Sequence, residues 1–297
     1  EPGTGRANGV SARFLDRATG RPAGPKLEVK ARAVVLAAGG YASPVIWMRS
    51  GLPNGSGEVG RNLFTNPNPY LYALYDEEIY LWHNIPAAVG TSDFRLPRYE
   101  NGRYVEGGYL LHPNQIQPEF LAVTLPGFGG AHAELVAQLP RLGSAVAWID
   151  DEHGGEVTLN EDGTPSYHYA LQGDDVLKAR DALKNQAQLL FESGAREVFV
   201  PDSAGTRLQG PEEIAQLETL EIQNGAMLFA APHPAGTLRM GDDPSRAVVA
   251  STHEAHEVPG LYVADPSVFP LPPSVDPSLT IMAFSVIAAR NILSHLA

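Results

Sequence analysis

The run Ala33–Ala38 is apolar at every position, and Gly39 and Gly40 stop it. Leu27 and Val29 just before it alternate with charged residues, so the chain reads as a strand entering a sheet covered on both faces. "SPVIWMRSG" follows and predicts a short helix with Ser43 as N-cap and Pro44 at its first position. Strand, paired glycines and helix N-terminus in succession make a nucleotide-binding geometry, although an ordinary αβ corner reads the same way. The opposite end of the chain repeats the theme. "PGLYVADPSVFP" holds a buried-type strand at Leu261–Ala264, and a terminal helix is predicted over Leu279–Leu296. Its Ile281, Met282, Phe284, Val286 and Ala288 leave little polar face before Arg290, so burial on most sides is expected.

The middle of the chain has a different period. "PYLYALYDEEIYLW", "RYVEGGYLLH", "EFLAVTLP", "SAVAWID", "GEVTLN" and "PSYHYAL" are aromatic and β-branched runs between turn residues, which predicts mostly antiparallel sheet. "HAELVAQL", Asp174–Ser193 and "GPEEIAQLETLEIQNG" read as helices. The expected plan is one α/β layer, residues 1–65 and 226–297, with an antiparallel sheet-and-helix domain, 66–225, inserted between its halves.

Charge and composition narrow the function. Lys+Arg 21 against Asp+Glu 34 gives a net charge of -13, which disfavours nucleic acid and anionic membrane surfaces. With Cys 0, disulfides, thiolate metal sites and cysteine nucleophiles are excluded. No uninterrupted run of about 18 apolar residues suggests a membrane span, and the polar N-terminus has no signal-peptide profile. The compartment is not fixed by these features; a soluble, cytoplasmic setting is favoured. Asp242 and Asp243 read as a solvated turn, and H-E-x-x-H from His253 or His256 would need a second histidine where Glu257 or Gly260 stands, so no metal is predicted.

The dinucleotide fingerprint G-x-G-x-x-G after a first strand is absent; "GSGEVG" at 55–60 fits the spacing but lies in a loop. What fills this gap is the stretch "APHPAGTLRMGDDPSRAVVASTHEAHEVPGLYVADPSVFPLPPSVDPSLTIMAFSVIAARNI". It closely resembles the C-terminal signature of the glucose–methanol–choline (GMC) family of FAD-dependent oxidoreductases, in several separated motifs and in order. "VVLAAGGYASPVIWMRSGLP" and "VGRNL" resemble internal family stretches, although the acidic–histidine pair that often follows the latter is replaced by "FTNPNP". The family's ADP-binding glycine motif is expected far upstream of the catalytic histidine. Together with the missing initiator methionine, this leads to the expectation that the chain is the C-terminal portion of a larger or cleaved enzyme. A second chain or segment would then supply the glycine-rich part.

The resemblance implies a site. His233, flanked by prolines in "APHPAG", is implied as the base that takes the hydroxyl proton of an alcohol while hydride leaves for flavin N5. An imidazole of ordinary pKa near about 6.5 suits that task. Asp276 occupies the second catalytic position, usually Asn or His. An ionised carboxylate there only accepts, so it either pairs with protonated His233 or acts protonated in an apolar pocket. It also reads, more plainly, as the cap of the terminal helix. Ala38, Gly39, Asp265, Pro266 and Pro277 are implied to contact FAD, as are Ser278, Leu279 and Thr280 through the free N–H groups of the helix start. Asp265 would accept a cofactor hydroxyl or orient a backbone N–H. Tyr70, Tyr72, Tyr80, Trp82, Tyr104, Tyr109, Tyr167 and Tyr169 could line an aromatic pocket, but cross-strand packing is the commoner use. An alcohol with an aromatic or aliphatic body is preferred over a sugar. Rival readings are non-oxidative flavin chemistry, such as cyanohydrin cleavage or photochemistry, and a non-catalytic subunit.

Overall fold

The early apolar run is a strand, Val34–Leu36, in the computed structural model, which describes residues 5–83, 85, 88–223 and 225–297. The first four residues of the N-terminal assignment therefore lie outside the described residues. The chain divides into two units: Glu1–Phe64, Gly154–Tyr169 and Pro234–Ala297 form one, and Thr65–His153 with Ala170–His233 the other. The sequence-based boundary put 154–169 inside the inserted domain. These residues instead form the hairpin Gly155–Leu159 and Pro165–His168, which pairs antiparallel with Arg61–Leu63 of the first unit.

In the first unit Val34–Leu36 pairs in parallel with Leu261–Val263, joining the two chain ends in one ladder. The helix after it spans Gly39–Arg49 and starts four residues before the expected cap. Ser43 is not a cap; it is buried within the helix and its hydroxyl donates to Asp265. Pro44 also lies inside the helix, where it has no N–H for the Gly40 carbonyl one turn back. Thr237 Oγ1 donates to that carbonyl at 2.7 Å, which supplies the missing bond and lets the helix run through the proline. Gly40 leaves no room for a side chain, because a Cβ would stand 2.5 Å from the Pro234 carbonyl oxygen.

The terminal helix spans Ser278–Leu296, and here the sequence expectation of burial fails. Ala288 is its one buried residue, and Leu279, Met282 and Leu293 are 78%, 55% and 68% exposed. Apolar composition records what a helix can bury, not what stands opposite it. Within its unit the helix packs through Phe284 on Phe269 and His253. Among the described residues it is the one helix long and apolar enough to cross a membrane.

The second unit is built on an antiparallel sheet in the order Arg207–Leu208, Glu197–Phe199, Asn68–Leu74, Leu142–Ile149 and Tyr109–Pro113, with Phe229–Ala230 also paired to Asn68–Leu74. Strand alternation divides its side chains between two cores. Leu71, Ala73, Ala145, Ala147 and Leu111 pack with Ala179, Leu183, Ala187 and Leu190 of the helix Asp174–Glu192. Tyr70, Tyr72, Val146 and Trp148 pack on the other side with Leu121, Leu125 and Leu135. Two local readings are corrected. "EFLAVTLP" is not a strand but most of a helix, Pro118–Thr124, started by Pro118 and Glu119 and burying Leu121 and Thr124. The helix expected in "GPEEIAQLETLEIQNG" is a 3₁₀ segment, Pro211–Glu218.

Several protonated groups depend on this packing. Burial pushes the Tyr72 hydroxyl up to about 12. Burial and the Asp181 charge raise Tyr109 and Tyr104. Burial works against the Lys178 charge, but its hydrogen bond to Glu152 and the charges of Asp175 and Glu152 leave it above an ordinary lysine. All four hold their protons more tightly folded than unfolded, so their stabilisation is complete below about pH 10 and is lost as pH climbs through the folded values. The melting temperature is expected to be unaffected by these groups from pH 8 to about 9.5 and to fall steeply above about 10. A Tm unchanged through pH 11 would refute this.

Candidate active site

Asp265 stands two residues past the end of the strand Leu261–Val263 and is buried. One carboxylate oxygen accepts from the Gly39 N–H at 2.9 Å and from the Ser43 hydroxyl. The other accepts from the Ser267 N–H at 2.8 Å and the Ser267 hydroxyl. Through these bonds Asp265 holds the Gly39 and Ser267 N–H groups and ties the ends of two parallel strands together. Pro266 opens the short 3₁₀ turn that carries Ser267. Ala38 is exposed beside this knot. Gly39 has φ 83° with nothing within 4 Å of where a Cβ would lie, so small residues leave the strand end open to a ligand.

Ser285 of the terminal helix, whose hydroxyl lies 2.8 Å from the Ile281 carbonyl of its own helix, also stands 3.3 Å from the Ala264 carbonyl, so the helix reaches the same strand end. Its first turn has Pro277 in the cap position with no side-chain capping bond. Asp276, just before the cap position, is exposed. Ser278, Leu279 and Thr280 are exposed, and their N–H groups have no intrahelical acceptor.

His233 belongs to the second unit, whereas every other predicted site residue belongs to the first. Its Nδ1 lies 2.8 Å from Asn66 Oδ1. The Asn66 amide nitrogen donates to the Ile149 carbonyl at 2.7 Å. Asp151, also buried, accepts from the Thr65 and Asn66 N–H groups at 2.9 and 3.2 Å. The His233 ring meets Trp148 edge-on, centroids 5.5 Å apart, and His112 packs on Trp148 at 4.3 Å. His112 also borders a cavity of about 1020 Å³ lined by Leu81, Leu111, Ser144 and Leu190.

Sequence reading missed Asn66, Asp151 and Trp148. The signal was present in "FTNPNP", the place where the usual acidic–histidine pair is replaced, since Asn66 stands there. The tyrosines are used mainly in packing: Tyr72 bonds Thr124 at 2.6 Å, Tyr109 bonds Asp181 at 2.7 Å, and Tyr167 packs on Tyr41. His253 and His256 bond the carbonyls of Val263 and Gly241. Among the described residues no group of three or more His, Asp or Glu is placed to hold a metal.

Comparison with known proteins adds the following. Two models of GMC oxidoreductases match the chain, the N-terminal one over residues 1–68 and the C-terminal one over 151–285. An uncharacterized GMC-type oxidoreductase of Mycobacterium tuberculosis is 30% identical over 291 residues, 98% of this chain and 43% of the relative. The 6'''-hydroxyparomomycin C oxidase of Streptomyces lividus is 28% identical over 97% of this chain and 49% of its own length. Formate oxidase of Aspergillus oryzae, solved to follow FAD modification, superposes with TM-score 0.64 at 17% identity, covering 98% of this chain and 58% of that one. The chain thus spans about half the length, or less, of the curated relatives it matches.

The N-terminal match overturns the expectation of a purely C-terminal portion completed by a separate partner chain. The N-terminal family segment lies on this chain, in residues 1–68. The expectation failed because it equated that segment with one glycine fingerprint. The strand Val34–Leu36, the helix Gly39–Arg49 and the residues through Asn68 carry the match here without it.

Proposed function

Since this chain belongs to the GMC oxidoreductase family, with FAD as its cofactor, we propose that it oxidises the CH–OH group of an alcohol, His233 accepting the hydroxyl proton. The observation that carries this reading is the fixed His233 ring, held at Nδ1 by Asn66 and flanked by Trp148. FAD, when bound, supplies the acceptor for the hydride leaving the same carbon. The residues suited to hold it are Ala38 and Gly39, which leave the strand end open, and Asp265 and Pro266, which fix that end. Pro277 sets the start of the helix, and Ser278, Leu279 and Thr280 offer N–H groups without intrahelical acceptors to a negatively charged cofactor edge.

On this reading Asp276 is the second polar residue of the site, at a position where Asn or His would donate. An aspartate there donates to a developing alkoxide only in its protonated form and only accepts when ionised. The 6'''-hydroxyparomomycin C oxidase, by name, acts on a hydroxyl-bearing molecule.

The test is to add a panel of primary alcohols, aliphatic and aromatic, to the FAD-loaded protein without oxygen. Bleaching of the oxidised flavin band with one aldehyde formed per flavin is expected. Product formation with the flavin still oxidised would replace this reading with non-oxidative chemistry.

A further inference from the structure

We propose that Asn66 is a positioning residue that fixes His233 as the tautomer protonated on Nδ1, so that Nε2 is the nitrogen presented to the substrate proton. The inference rests on the reading of His233 as the base and specifies how the chain prepares it. An asparagine amide can face a histidine with either its oxygen or its nitrogen, and the two orientations impose opposite tautomers. Here the choice is settled by the other end of the amide. The Ile149 carbonyl can only accept, so the group 2.7 Å from it is the NH₂, and the oxygen faces His233. An oxygen at 2.8 Å requires a proton on Nδ1, and a neutral imidazole then carries its basic lone pair on Nε2.

The backbone makes the arrangement rigid. Asn66 has φ 47°, a left-handed conformation that asparagine tolerates better than most residues. The buried Asp151 carboxylate holds the Thr65 and Asn66 N–H groups in that turn. Asn68 adds a bond from its side-chain nitrogen to the Asn66 carbonyl at 2.8 Å. Asn66 itself is 0% exposed, so water does not compete for its amide. A neutral partner also differs from a carboxylate at the same place. It orients the ring without favouring the imidazolium, so the base keeps its neutral form to lower pH. Titratable groups near the ring among the described residues include Asp151, behind the Asn66 backbone, and His112, across Trp148.

The tautomer can be read without turnover. Long-range ¹H–¹⁵N correlation of the ¹⁵N-histidine-labelled, FAD-loaded protein, with the His233 signals assigned by their loss in His233→Gln, should show a protonated Nδ1. Asn66→Ala should shift His233 toward the Nε2-protonated form that free imidazole side chains prefer. Asn66→Asp, which tolerates the same backbone, should keep the Nδ1 proton. It should also move the acidic limb of the kcat/KM profile up by about one unit or more, because a carboxylate stabilises the imidazolium and only the neutral ring accepts a proton. Asn66→Ala should lower kcat/KM about 10- to 100-fold. A wild-type His233 protonated on Nε2, or an Asp variant with an unmoved pH profile, overturns the proposal. Absence of alcohol oxidation with the Nδ1 tautomer present would count against the proposed function and leave this inference standing.

Discussion

Replacing His233 with glutamine is expected to slow alcohol-driven flavin reduction about 10²- to 10⁴-fold, the usual contribution of a positioned general base. Glutamine is the informative substitute because it retains a side-chain amide that can bond Asn66 Oδ1, so the turn at Thr65–Asn66 keeps its partner. What it lacks is a basic lone pair. The rate should therefore fall while FAD content, read from the flavin band, and Tm stay close to wild type. The pH dependence should change as well. In the wild type, rate is lost on the acidic side as the imidazole protonates; in the variant that limb should disappear, and the residual rate should rise only with hydroxide. A loss of less than about fivefold, with the acidic limb intact, would assign the proton to another group.

How much of this was legible in sequence depends on the range of each interaction. The strand Val34–Leu36 and its paired glycines could be read because apolar continuity and glycine stops are local signals. The family resemblance rested on motifs within the last 65 residues or so and was equally local in form. The helix start was misplaced because Ser43 is a good N-cap type, and nothing local says that its hydroxyl is taken by Asp265, 222 residues away. Pro44 looked like a first-turn proline for the same reason; Thr237 tolerates it within the helix from 197 residues away through the Gly40 carbonyl.

The candidate site divides along the same line. His233 stood out by its motif, while Asn66, 167 residues before it, is an ordinary turn residue until the fold sets its oxygen against Nδ1. The terminal helix shows the opposite failure. Its apolar pattern was plain, but pattern alone could not say that Leu279, Met282 and Leu293 are exposed in this chain.

In the second unit the largest loss of stability is expected from Asp175→Ala, about 3–5 kcal/mol, with a smaller loss, about 1–3 kcal/mol, from Lys178→Met. The two residues form a buried ion pair, Lys178 Nζ 3.4 Å from Asp175 Oδ1, with side chains 1% and 0% exposed. A pair of that kind suggests symmetric costs, but the surrounding bonds argue otherwise. Asp175 lies in the first turn of its helix, yet its carboxylate accepts from outside it: the N–H groups of Glu152 and His153 and the His153 Nδ1 at 2.9 Å. It is thus the clasp between the helix Asp174–Glu192 and the chain leaving the strand Leu142–Ile149. Removing it orphans two backbone donors and leaves the Lys178 ammonium with only the Asp150 carbonyl and the half-exposed Glu152. Removing Lys178 instead leaves Asp175 bonded to those same N–H groups, and a methionine fills the stem's volume. Urea unfolding of both single variants and the double variant checks this. Equal costs for the two single variants, cancelling in the double, would mean that the charge pair rather than the carboxylate–amide clasp holds the helix to the sheet.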